Sequence, residues 1–162
     1  MNLVMNIKSA DELISERLLG ALDAWTRTAA GRMAPKREEI TPALLRGILP
    51  WIWMADVVDD GADFRFRLAG DRVIQFMGRR YSGSLISQHL ESVYFRRMRA
   101  LFAECTARKK AVAAGPQRSK MKGKEFLEME VLAMPLSDDG ESVTGLFGAM
   151  DTRAIGGHPG AG

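Results

Sequence analysis

Glu128 and Glu130 stand two residues apart in "EFLEMEVLAM", which puts both carboxylates on one face of an extended strand. Paired carboxylates can share general acid and base work. The simpler expectation is that they face solvent, or basic groups such as Arg118 and Lys120 on the adjoining strand. The histidines are His89 and His158, and neither has a second metal ligand beside it. Cys105 is the single cysteine, which excludes an internal disulfide and a zinc ribbon. It sits on the apolar side of a helical pattern, where a thiol behaves as a small hydrophobe. No Ser-His-Asp set, Walker loop or metal cluster is recognisable, and "GDRVIQFMG" is not a dinucleotide fingerprint.

Basic residues recur at Arg79-Arg80, Arg96-Arg97-Arg99, Arg108 to Lys110 and Arg118 to Lys124, yet the formal net charge is only +3. Acidic residues nearly balance them and no recognition-helix motif appears, so these clusters read as solvated faces and no nucleic-acid partner is expected. The ten methionines carry more information, because methionine fills irregular space and tolerates varied shapes. With the aromatics they suggest a pocket for a small apolar ligand, lined by Trp53, Phe66, Phe76, Met77, Met98, Phe102 and Met129.

Such a pocket needs elements around it. Ser9 and Glu12 have capping-box spacing. Leu13, Ile14, Leu18, Ala21, Leu22 and Trp25 then recur at helical intervals, predicting an amphipathic helix over residues 10–30 that stops at Gly31. Its stripe is too apolar to face water. Leu18, Leu22 and Trp25 are therefore expected at a homodimer interface, with Trp25 against an outer sheet face and Leu18 near the two-fold axis; the alternative is the chain's own outer sheet face. A connector with Pro35, Pro42 and Pro50 follows.

"WIWMADVV" and "FRFRLAG" read as a hairpin around "DDGAD". Its register sets Asp56 opposite Arg65, with Phe64, Phe66 and Leu68 pointing the other way. Arg67 is expected to hold the returning connector by hydrogen bonds. Gly70 lets the chain turn sharply without a side-chain clash. Asp71 then caps a short helix over 72–77, stopped by Gly78. A second long helix over 91–109 presents Tyr94, Met98, Leu101, Phe102 and Cys105 on one face. Three more strands follow. Gly115-Pro116 marks an edge or a bulge, and Leu127, Met129 and Val131 alternate with the two glutamates.

The fold class is α+β: a five-stranded antiparallel sheet with helices inserted between strands two and three, plus the N-terminal amphipathic helix. Trp25, Pro35-x-Arg37, Pro42, "ILPWIWMADV", "FRFRLAG", "GRRYSGSLI" and "PLSDDGESVTGLFGAMD" resemble the single-domain PAS-like proteins of proteobacteria, formerly a domain of unknown function. The resemblance covers roughly residues 20–152. It implies a PAS fold and a sensory or regulatory role, and it brings no catalytic residues with it. His89 lies where some PAS domains place a haem ligand, but no haem is implied by a lone histidine. Flavin photoreceptor PAS domains carry a reactive cysteine in a motif that "AECTARK" does not match.

The expected organisation is an N-terminal helix and connector over 1–34, a PAS-like domain over 35–152 and a disordered tail over 153–162, rich in Gly and Pro. The N-terminus lacks the features of a signal peptide. No stretch approaches the roughly 20 apolar residues of a membrane span. A cytoplasmic, non-catalytic signalling module is therefore expected. It would act through a small ligand, a homodimer or a separate signalling protein. The alternatives are an enzyme with an unrecognised site between sheet and helices, or a nucleic-acid-binding accessory protein.

Overall fold

The structure, a computed structural model, describes residues 6–155. Six strands form one antiparallel sheet: β1 (Ile7–Ser9), β2 (Ile52–Val58), β3 (Asp63–Ala69), β4 (Val112–Arg118), β5 (Leu127–Leu136) and β6 (Gly145–Ala154), in the order β1-β4-β5-β6-β2-β3. The helices are α1 (Glu16–Ala29), α2 (Asp71–Met77) and α3 (Val93–Arg108). The expected five strands are present, with α2 and α3 inserted between the second and third of them, β3 and β4. The sixth strand, β1, pairs Ile7 with Ala114 and Ser9 with Val112. Three residues are too few to show an alternating pattern, so sequence periodicity misses it.

The inner face of the sheet packs on α2 and α3. Tyr94, Met98, Leu101, Phe102 and Cys105 of α3 are all buried there against Trp53, Phe64 and Phe66. The outer face packs on α1 and the connector, where Leu18, Ile40 and Leu45 cover Ile52, Met54, Leu132 and Phe147. Beyond Val131 strand β5 is therefore apolar on both faces, a pattern that belongs to a strand covered on both sides.

Three local readings change. Ser9 and Glu12 do form a capping box, but over a single 3-10 turn. The main helix begins only at Glu16, with the Ser15 hydroxyl accepting from the Leu18 amide at 3.2 Å. Ile14 thus lies outside the helix and is 65% exposed instead of joining the apolar stripe. At the start of α2 the N-cap is Gly70, not Asp71. A Cβ at Gly70 would run into the carbonyls of Leu49 and Pro50, so the glycine is required by close backbone approach. The expected tail starts too early, since Arg153 and Ala154 belong to β6. Residues 156–162 lie outside the described residues.

The hairpin register is as expected, with Asp56 opposite Arg65. The ion pair is not. A bulge between Met54 and Ala55 sets Leu68 opposite Met54 and Phe66 opposite Ala55, leaving Arg67 as the extra residue. Arg67 does not bond the connector directly as expected but reaches Asp56 of its own hairpin, which Arg37 of the connector also contacts at 3.1 Å, while Arg65 donates to the Gly83 carbonyl at 2.8 Å. Past the bulge Leu68 shares a face with Met54 rather than with Phe66, and it is 40% exposed. The other bulge, between Ala114 and Gln117, falls at Gly115-Pro116 as the sequence implies.

Candidate functional site

A small cavity of about 20 Å³ lies between the β2–β3 hairpin, α2, α3 and the segment that follows α2. That is space for roughly one water. Trp53 and Phe66 form its sheet wall, Met77 comes from α2, and Met98 and Phe102 come from α3. These are five of the residues that sequence periodicity brings together. Phe76 and Met129 belong to the same buried cluster but not to the wall. Phe76 packs on Tyr94, with ring centroids 5.5 Å apart. Met129 lies further along the sheet. Tyr94, on the same α3 face as Met98 and Phe102, also lines the cavity, as do Arg79, Arg80 and Tyr81, which sequence periodicity does not bring there. No local pattern announces that residues 79–82 fold over the cavity.

The walls are held by aromatic contacts. Trp53 stacks on Phe102 at 4.7 Å, and Phe66 meets the edges of Phe95 and Phe102. Across the sheet Trp53 pairs with Gly148, where any Cβ would collide with the indole. The indole Nε1 is buried and has no hydrogen-bond partner among the described residues. Burial pushes the Tyr94 hydroxyl far above its ordinary pKa, so it stays protonated.

His89 is not part of the cavity wall. Its Nε2 lies 2.9 Å from Ser84 Oγ, and its ring is enclosed by Tyr81 and Phe95. The Ser84 hydroxyl donates to the Tyr81 carbonyl, so it accepts from the imidazole. That is the reverse of a serine activated by a base. Burial in turn holds the imidazole below its ordinary pKa, with nearby Arg79 adding to the effect and Glu91 opposing it. Cys105 is fully buried and its thiol is pushed well above the usual range by desolvation, which disfavours the nucleophilic thiolate.

The glutamate pair separates. Glu128 accepts from Arg153 at 2.8 Å, not from Arg118 or Lys120. Glu130 is 4% exposed rather than solvent-facing. Its Oε2 accepts from Lys8 Nζ at 2.6 Å and from the Ile14 amide at 3.0 Å, and its Oε1 accepts from the Ser15 amide at 2.7 Å. The Ser15 hydroxyl donates to Asp151 at 2.6 Å, and Arg17 also pairs with Asp151. Both Glu130 oxygens are thus committed to holding β1 and the start of α1. They are not available for proton transfer to a substrate. Among the described residues no three His, Cys, Asp or Glu side chains gather as metal ligands would, and no helix is long and apolar enough to cross a membrane.

The proposed interface residues lie inside the chain's own fold. Leu18 is fully buried on the outer sheet face, Leu22 packs beside it, and Trp25 donates its Nε1 to the Pro135 carbonyl at 2.8 Å. The α1 stripe thus covers the chain's own sheet, and Leu18, expected near a two-fold axis, is instead sealed inside one subunit.

A family model described as a PAS domain matches residues 15–151. No curated protein and no solved structure matches the chain.

Proposed function

The chain belongs to the PAS domain family, and from that premise we propose that it is a non-catalytic sensory or regulatory module whose input is a small ligand taken up between the hairpin and the inner helices. The observation that carries this reading is the cavity bounded by Trp53, Phe66, Met77, Met98 and Phe102. An apolar pocket with a few polar groups at its edge is where a small ligand would be taken up, this one has to widen from about 20 Å³ to admit it, and no acid–base or nucleophilic set borders it.

The output follows from strand geometry. Trp53 faces the cavity while its neighbours Ile52 and Met54 face α1 and the connector. On the same strands Asp56 ties Arg37 of the connector to Arg67. A ligand that shifts Trp53 or Phe66 therefore loads the outer face through one strand's thickness, and the α1 layer is where a partner or a second copy would read the change. Cytoplasmic action and homodimer formation are part of this proposal.

Native mass spectrometry of freshly purified protein tests both halves, because it reports bound ligand and oligomeric state together. A co-purifying small molecule that raises the melting temperature when added back supports the sensor. Ligand-free protein whose melting temperature is moved by none of a library of apolar metabolites overturns it.

A further inference from the structure

Away from the cavity, we infer that the free end of the β5–β6 pair docks on an anionic lipid bilayer through a basic loop and an apolar tip. Two independent features point there. The first is charge. The segment from Arg118 to Glu125, which joins β4 to β5, sets Arg118, Lys120, Lys122 and Lys124 against the carboxylate of Glu125. Its net charge equals the +3 of the whole chain, so the remaining residues balance and the excess is concentrated here. The other basic clusters hold cations that are tied down. Arg79 lies over the Tyr81 ring, Arg96 and Arg99 donate to the carbonyls of Leu90 and Ala62, and Arg108 pairs with Glu104. In this segment Arg118 donates to the Glu125 carbonyl at 3.4 Å. Among the described residues Lys120, Lys122 and Lys124 have no carboxylate within ion-pair distance.

The second is the apolar surface beside that charge. Phe126, the next residue, is 59% exposed, and Ile155 is 41% exposed. The Ile155 amide donates to the Phe126 carbonyl at 3.0 Å, so the two residues sit together where β5 and β6 end. Ile14 is close by, lining a shallow hollow with Pro116, Glu128 and Arg153. Arg118, Glu128 and Arg153 in turn stand in one row across β4, β5 and β6. Three of the six large apolar side chains exposed among the described residues thus gather at one end of the sheet. Such residues scattered singly need no explanation, but a gathering marks a contact surface.

The composition of the patch selects a bilayer over a protein or a nucleic acid. Lysine is depleted at protein–protein interfaces. At a lipid surface its long stem is buried while the ammonium stays with the headgroups. Single-stranded nucleic acid wants flat rings for its bases to stack on, and two of the three exposed side chains here are isoleucines, which offer none. Lipid chains accept branched and aromatic side chains alike. The loop lysines are not fixed by ion pairs, which suits a diffuse layer of headgroup charge rather than one phosphate at a defined place. Stable attachment to a bilayer takes two signals, such as an apolar insertion and a basic patch, and this end of the sheet supplies both.

The test is sedimentation of the full chain with vesicles of phosphatidylcholine alone, or of phosphatidylcholine and phosphatidylglycerol in equal parts. The chain should bind only the mixed vesicles, and less as salt rises. Lys120→Gln with Lys122→Gln should weaken binding about 25-fold, about fivefold for each charge near the surface. Phe126→Ser should weaken it about tenfold, the lower end for withdrawing a phenylalanine from an apolar medium, and leave the salt dependence as it was. Arg46→Gln with Lys110→Gln, exposed cations elsewhere, should leave binding unchanged, which separates this patch from net charge. All these positions lie outside the core, so melting temperatures equal to the parent's should show each variant folded. A chain that ignores the mixed vesicles, or that binds them as well after the lysine or Phe126 substitutions, overturns the inference. So does an equal loss in the Arg46 and Lys110 variant. Tighter binding to an RNA or duplex DNA oligonucleotide than to the vesicles, with Phe126→Ser without effect, overturns it too and assigns the patch to nucleic acid.

Discussion

Replacing Glu130 with alanine should unfasten the N-terminal segment. The carboxylate is 4% exposed and accepts from Lys8 Nζ, the Ile14 amide and the Ser15 amide. Its removal leaves an ammonium that is 12% exposed and two amides without an acceptor. Breaking a buried pair by removing one partner costs about 3–5 kcal/mol. The remaining solvent access of Lys8 places this case near the lower end, at about 3 kcal/mol. For a chain of this size that lowers the melting temperature by roughly 6–12 °C. Glu130→Gln keeps an acceptor for the amides and loses mainly the attraction to Lys8, about 1–2 kcal/mol. Adding Lys8→Met to that variant should recover part of the loss, since the two positions are directly coupled. Guanidinium unfolding gives the totals, and native-state hydrogen exchange locates the effect. Amides of α1 should lose protection before those of β5 and β6. A Glu130→Ala protein that loses less than about 1 kcal/mol, with α1 exchange unchanged, would refute the clamp.

Three further outcomes are expected. Gly148→Ala sets a methyl group against the Trp53 indole and should cost about 1–3 kcal/mol by overpacking; a urea midpoint equal to that of the parent would show that Trp53 moves freely. Because burial lowers the His89 pKa in the folded state, the unfolded chain binds more protons as the pH falls below about 6.5. The stability contributed by neutral His89 is therefore present above that pH and is lost as the pH falls through the folded-state value. Urea midpoints measured against pH should fall less steeply for His89→Gln than for the parent, and equal slopes would remove His89 from the account. Deleting residues 1–30 uncovers Leu132, Met134 and Phe147, so the shortened chain should bind an apolar dye and aggregate. Sedimentation of that chain as a monomer with unaltered stability would count against α1 as the cover of the outer face.

Much of the frame was legible locally. The alternation of "FRFRLAG", the turn at Asp59 to Gly61, Gly70 at the entry to α2 and the apolar spacing of α3 each lie within a few residues, and helix and strand geometry turn such spacings directly into faces. The same rule brought Trp53, Phe66, Met77, Met98 and Phe102 to one wall. Where the reading failed, the deciding partner was far away in the chain. Glu130 looks like a surface carboxylate until β1 and the start of α1 arrive from 115 residues or more before it, and that same contact moves the helix start to Glu16 and turns Ile14 outward. One bulge residue, Arg67, reverses the face of Leu68, because strand periodicity holds only while the pairing stays in register. The sequence by itself determined which residues are apolar on which side of each element. Only the tertiary structure decided which side is covered and by what, because burial is settled by segments that meet in space and leave no pattern in their own neighbours.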